Sequence, residues 1–181
     1  MTAHYDRVDL KRRQLNEVAL NKGKSPCTDQ WTVGQVMTTS PISVPSGTTV
    51  LQLIELFHEK HFRHLLVTDD AGRLEGLISD RDVLRCLGPD DKLNREMAAN
   101  TRASSIMARD LVTVRPTTGL HTAIDMMIAE GISCLPVVSD DRLLGITTNT
   151  DMLICLDVLL ETEQAPPAQA PKSTVKSEAT R

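Results

Sequence analysis

The chain has 181 residues, 40% of them apolar and 24% charged, and a formal net charge of -4; that length holds one or two small domains, and that balance excludes a globally disordered chain. Aromatic residues make up only 2%, so the core is aliphatic and the stacking platforms that bind unpaired bases are excluded. The acidic balance argues against nucleic acid as a partner, because phosphate backbones reward clustered Lys and Arg.

Residues 1–32 read as an N-terminal helix and loop. The helix covers 6–20, with Val8, Leu15 and Val18 on roughly one side, and the loop covers 21–30. The one basic cluster, Lys11-Arg12-Arg13, reads as a solvated helix face. No apolar stretch of a signal peptide precedes it. The cysteines Cys27, Cys86, Cys134 and Cys155 show no C-x-x-C spacing, which points to a reducing cytosol and away from a zinc knuckle.

From residue 33 onward the chain is a duplication. Met37 and Met107 stand 70 positions apart, and Val44/Val114, Thr48/Thr118, Ile54/Ile124, Leu65/Leu135 and Val67/Val137 keep that offset. After the turn at Gly72 the offset falls to 69, pairing Gly76 with Gly145, Asp82 with Asp151 and Leu84 with Leu153. Ile42-Ser43-Val44 and Val112-Thr113-Val114 read as first strands. Val50, Leu53, Ile54 and Phe57 form one helical stripe, and Leu120, Ala123, Ile124 and Met127 repeat it. Thr48 or Thr49 caps the first of these helices and Thr118 the second. Leu65–Thr68 with Leu74–Ser79, and Leu135–Val138 with Leu143–Thr148, read as hairpins that lead into helices near Asp80 and Asn149. Each copy is therefore strand, helix, strand, strand, helix, with a parallel right-handed crossover between its first two strands. The copies occupy 33–88 and 103–160, joined by a polar linker at 89–102 that is partly helical around 93–99. The tail, 161–181, is rich in Pro, Ala, Lys and Ser and reads as disordered.

At the end of each hairpin stands Gly76-Leu77-Ile78-Ser79-Asp80-Arg81-Asp82 or Gly145-Ile146-Thr147-Thr148-Asn149-Thr150-Asp151. Two such segments in register make the chain similar to paired CBS domains, the repeats named after cystathionine β-synthase. That resemblance implies an α/β (α+β) fold of two pseudo-symmetric βαββα repeats packed sheet to sheet as a Bateman-type module. It also implies a cleft with two sites for AMP, ADP or ATP, or for S-adenosylmethionine or a cyclic dinucleotide. One site would combine Ser79, Arg81 and Asp82 with Val112, Thr113, Ile132, Ser133 and Pro136. The other would combine Thr148 and Asp151 with Ile42, Ser43, Phe62, Arg63 and Leu66. In the family the Ser/Thr lies near phosphate and the Asp holds the ribose hydroxyls. The physical reading agrees, since a carboxylate accepts two bonds from a vicinal diol and a helix N-terminus favours a phosphate.

Bland readings stand beside these. Each Ser/Thr-x-x-Asp is also a helix capping box. His58, His61 and His64 read as a wet helix end and a strand residue rather than as metal ligands. Met152 to Leu160 is apolar almost all round, which suggests a homodimer through the helices after Asp82 and Asp151, or over-packing within one chain. Asp157 interrupts that stretch, which is too short to span a bilayer. No nucleophile elbow, metal triad or Walker loop is present, so the sequence points to a binding module without a cofactor or a reaction of its own. The alternative is an interaction module with a vestigial cleft.

Overall fold

The computed structural model describes residues 2–21, 31–88 and 94–164, with side chains over 8–18, 31–88 and 94–161. Residue 21, expected to open the loop, still belongs to the first helix; the rest of that loop, 22–30, the first part of the linker and the tail beyond 164 lie outside the described residues. The elements run α1 (Thr2–Asn21), α2 (Val33–Val36), β1 (Thr38–Thr39), β2 (Ser43–Val44), α3 (Val50–Lys60), β3 (His64–Thr68), β4 (Leu74–Ser79) and α4 (Asp80–Leu87). They continue through α5 (Arg95–Asn100), α6 (Ala103–Ile106), α7 (Leu120–Glu130), β5 (Cys134–Ser139), β6 (Arg142–Thr148) and α8 (Asn149–Gln164). The last helix thus passes the boundary expected at 160.

The strand order follows from chain geometry. β2 pairs parallel with β3 across the α3 crossover, and β3 pairs antiparallel with β4. In the second copy, β5 and β6 form the matching hairpin, and the first strand shrinks to one parallel bridge, Val114 to Val137. The one-residue difference in offset lies in the hairpin turns. Asp140 and Asp141 both adopt positive φ (50° and 61°), the two-residue turn that matches strand twist. The first copy instead uses a longer turn, in which Asp69 Oδ1 accepts from the N–H groups of Ala71 and Arg73.

Periodicity did not show the exchange between copies. β1 leaves its own repeat and pairs antiparallel with β6, Thr38 opposite Ile146 and Thr39 opposite Gly145. Its counterpart Ala108 pairs with Leu77 of β4. The short helix α2 docks the same way, its Val33 and Gly34 N–H groups donating to Thr118 and Pro116 carbonyls, while Ala103 of α6 donates to Thr48. This exchange explains the glycine that opens each Gly-initiated segment. A Cβ on Gly145 would sit 2.8 Å from the Thr38 carbonyl oxygen, and one on Gly76 would sit 2.9 Å from the Ala108 carbonyl oxygen.

The sheets face each other across Leu66, Cys134 and Ile146, with Leu74, Leu77 and Leu143 around them. On its outer side each sheet is covered by helices: Val50, Leu53 and Val83 over the first, Ala123 and Met127 over the second. Thr49 caps α3 in a capping box with Gln52. The expectation of a Thr118 cap on α7 fails. Gly119 holds the cap position without a side-chain bond, and the Thr118 hydroxyl accepts from the Arg115 N–H instead.

The basic cluster is a second correction in part, since Arg13 is exposed as expected while Lys11 and Arg12 face α8. Lys11 lies only 11% exposed and pairs with Asp151 at 2.9 Å, and Arg12 pairs with Asp157. The reason is tertiary: α1 lies along α8, burying Leu15 against Trp31, Leu120, Ile154, Cys155 and Val158, which turns the cationic side toward α8 carboxylates. Part of the all-round apolar surface of α8 is therefore covered by α1, and Leu153, Leu156 and Leu160 remain exposed as one stripe.

Candidate functional site

Strand β6 runs into α8 at Thr148. The Thr148 N–H and hydroxyl both donate to Asp151 Oδ2, at 2.7 and 2.8 Å, and the Asp151 N–H donates back to Thr148 Oγ1 at 3.4 Å. Ser79 and Asp82 repeat the box at the start of α4, at 2.8, 2.6 and 3.3 Å. Both motifs are therefore caps in this state, each using one carboxylate oxygen and leaving the other for a further partner. The two remaining oxygens differ. Asp82 Oδ1 faces Arg85 at 3.5 Å on the surface, whereas Asp151 Oδ1 accepts from Lys11 Nζ in a buried pair.

A cavity of about 400 Å³ opens beside the second motif, within the range of roughly 300–1,000 Å³ typical of small-molecule sites. Of the residues assigned to this site from the sequence, Thr148, Asp151, Ile42, Phe62, Arg63 and Leu66 line the cavity and Ser43 does not. His61 and His64 line it too, as do Val8 and Lys11 of α1, which periodicity gave no reason to place there. Ser133, expected in the opposite site, lines this one, its hydroxyl 3.0 Å from His64 Nε2. The β5 start lies against the β3 start where the sheets meet, which accounts for that contact. Ser79, Arg81, Asp82, Val112, Thr113, Ile132 and Pro136 do not line this cavity. Arg81 is exposed and Pro136 is buried in β5.

The electrostatics of the cavity are mixed. Arg63 stands on its rim, 3.5 Å from Asp80. Burial, with the Arg63 charge beside it, pushes the His64 imidazole below its usual 6.5, so the ring is neutral near pH 7. His61 ends α3 in the left-handed conformation, φ 54°, where the counterpart is Gly131 at φ 64°. A side chain there costs roughly 1–2 kcal/mol, and it places an imidazole on the cavity wall. Burial also drives the Cys134 and Cys155 thiols up to about 12 and about 11, so neither is a nucleophile near neutral pH. Among the described residues no three His, Cys, Asp or Glu side chains cluster as metal ligands, and no helix is long and apolar enough to cross a membrane.

The CBS domain family profile matches residues 33–89 and 103–157. The chain belongs to the CBS domain family. Its βαββα repeats and their sheet-to-sheet packing are those of a CBS pair. The uncharacterized protein MJ1225 of Methanocaldococcus jannaschii is 31% identical over 121 residues, covering 67% of this chain and 41% of that protein. An inosine-5'-monophosphate dehydrogenase of Nitrosopumilus maritimus is 28% identical, over 66% of this chain and 23% of the enzyme. The CBS pair thus spans less than half the length of these curated relatives. Among solved structures, CBSX2 in complex with AMP superposes with a TM-score of 0.61 at 29% identity, covering 74% of this chain and 99% of that one. The cytosolic domain of the Mg2+ channel MgtE in complex with ATP gives 0.56 at 29% identity, covering 67% and 47%. CBS pairs therefore serve as ligand-binding modules among the relatives of this chain.

Proposed function

We propose that this CBS pair is a regulatory module that binds an adenine nucleotide between its repeats and catalyses nothing itself. The observation that carries the reading is the cavity at Thr148. It joins an apolar slot (Ile42, Phe62, Leu66, Ile146) to a carboxylate at a helix N-terminus and to the Arg63 rim. The adenine fits the slot, Asp151 accepts from the ribose diol, and the phosphates extend toward Thr148, the start of α8 and Arg63. The AMP and ATP complexes of two relatives support an adenine nucleotide as the ligand. Ser79, Arg81 and Asp82, with Val112, Thr113, Ile132 and Pro136, form the second site, which differs in charge placement and in affinity. The buried free thiols at Cys134 and Cys155 suit a reducing cytosol.

The exposed Leu153, Leu156 and Leu160 stripe, with Leu84 as the counterpart of Leu153 in the first repeat, supports a homodimer built on α4 and α8. Thermal unfolding with AMP, ADP, ATP and S-adenosylmethionine tests the ligand reading. A ligand at a hundred times its Kd adds about 2.7 kcal/mol, a rise of roughly 5–10 °C for a chain of this size. No shift with any of the four, at millimolar concentration, leaves only an interaction module.

A further inference from the structure

The N-terminal helix enters the nucleotide cavity, and its lysine stands where a ligand would have to bind. Asp151 Oδ2 already accepts two bonds from Thr148. Its other oxygen, the one left for a ribose hydroxyl, accepts from Lys11 Nζ at 2.9 Å, and that ammonium lies 3.3 Å from Thr38 Oγ1 as well. Asp151 is only 6% exposed. In the first repeat the matching oxygen faces a surface arginine on its own helix and stays accessible.

We infer that α1 is an internal competitor for the Thr148 site, a strap that occupies it until a diol-bearing ligand takes Asp151 from Lys11. The inference rests on the nucleotide reading above and adds the regulation of that site. By linkage, a ligand that takes Asp151 from Lys11 loosens α1, and whatever loosens α1 frees Asp151 for that ligand. Most of the strap's hold lies elsewhere, in Leu15 against the α7 and α8 side chains and in the Arg12–Asp157 pair. Neither Arg12 nor Asp157 lines the cavity, so α1 can be weakened without touching the site. Ligand binding then has an output: release of α1 uncovers Leu120, Ile154, Cys155, Val158 and the buried Trp31. Trp31 is the only tryptophan in the chain and reports that release directly.

The test uses the full chain with AMP and ATP. Hydrogen exchange over α1 and Trp31 emission are read with and without nucleotide, and affinity is read by calorimetry for Arg12→Ala and Lys11→Met. An Asp82→Asn background leaves the Thr148 site alone to report. Nucleotide is expected to speed exchange in α1 and red-shift Trp31. Both variants are expected to bind about five-fold tighter or more. A 2',3'-dideoxy analogue, which has no diol, is expected to bind without loosening α1. Slower α1 exchange with ligand, or equal or weaker binding in both variants, overturns the strap and makes Lys11 a fixed wall or a ligand contact. Should Lys11→Met fail to fold, the parent's exchange and Arg12→Ala still decide. Nucleotide binding with α1 unmoved removes this inference alone; no binding at either site removes the nucleotide reading and this inference together.

Discussion

Asp82 and Asp151 are equivalent in the repeat and unequal in the fold, and the same substitution at each measures the difference. Asn keeps the side-chain shape and one acceptor, so part of each cap survives. At Asp82 the loss is the charge on a partly exposed carboxylate and its 3.5 Å contact with Arg85, which is itself 80% exposed. A weakened cap costs about 1 kcal/mol, and an exposed pair adds little. At Asp151 the same cap is weakened and Lys11 is also stranded, with its side chain 11% exposed. Breaking a buried pair costs about 3–5 kcal/mol, and the lower end applies here because the pair borders a cavity open to water. In a chain of this size 1 kcal/mol moves Tm by about 2–4 °C. Asp82→Asn is therefore expected to lower Tm by roughly 2–4 °C and Asp151→Asn, with about 1 kcal/mol from the cap and about 3 kcal/mol from the pair, by roughly 8–16 °C. Calorimetric melting of the full chain reads both. The cycle closes with Lys11→Met: once the lysine is gone, Asp151→Asn is expected to cost about 1 kcal/mol, as at Asp82. Equal losses at the two positions, or a cycle without coupling, would refute the assignment of a buried, structural pair to the second site.

Nucleotide affinity separates cap from ligand contact in the same variants: Asp82→Asn is expected to weaken its own site by about ten- to a hundred-fold, from the loss of roughly 1.5–3 kcal/mol in bonds to a charged group, and unchanged calorimetric affinity would make it a cap alone. Gly145→Ala pushes a Cβ to within 2.8 Å of both Met37 Sδ and the Thr38 carbonyl, so urea unfolding is expected to show a loss of about 1–3 kcal/mol; Gly47→Ala, which meets open space, is the matched control. His64 has its folded pKa held below the 6.5 of the free side chain, so the unfolded chain binds more protons in between. Its stabilisation is complete above about 6.5 and is lost as pH falls through that window; Tm measured from pH 7.5 to 5 is expected to fall less in His64→Gln than in the parent. Leu156→Glu puts a charge on the exposed α8 stripe. Sedimentation is expected to show a dimer for the parent and a monomer for the variant, and a parent that is monomeric at tens of micromolar would refute the α4 and α8 interface.

Much of the architecture was legible because it is written locally and written twice. The stripe of Val50, Leu53, Ile54 and Phe57, the hairpins and the helix starts at Asp80 and Asn149 follow from side-chain period and turn chemistry, and each was checked by its repeat. The capping boxes were legible for the same reason, since a residue and its partner three positions on are held by one turn of helix. Contacts between residues far apart in the chain left no such trace. Nothing in the period of β1 says that Thr38 pairs with Ile146 of the other repeat, and only that exchange explains why Gly76 and Gly145 carry no side chain. The sequence placed Lys11, Arg12 and Arg13 on a polar helix face; whether that face meets water or the α8 carboxylates depends on how Leu15 docks. Spacing alone made Asp82 and Asp151 equals. Tertiary packing decided otherwise, because α1 lies on one repeat only and brings a buried cation to one carboxylate of the two.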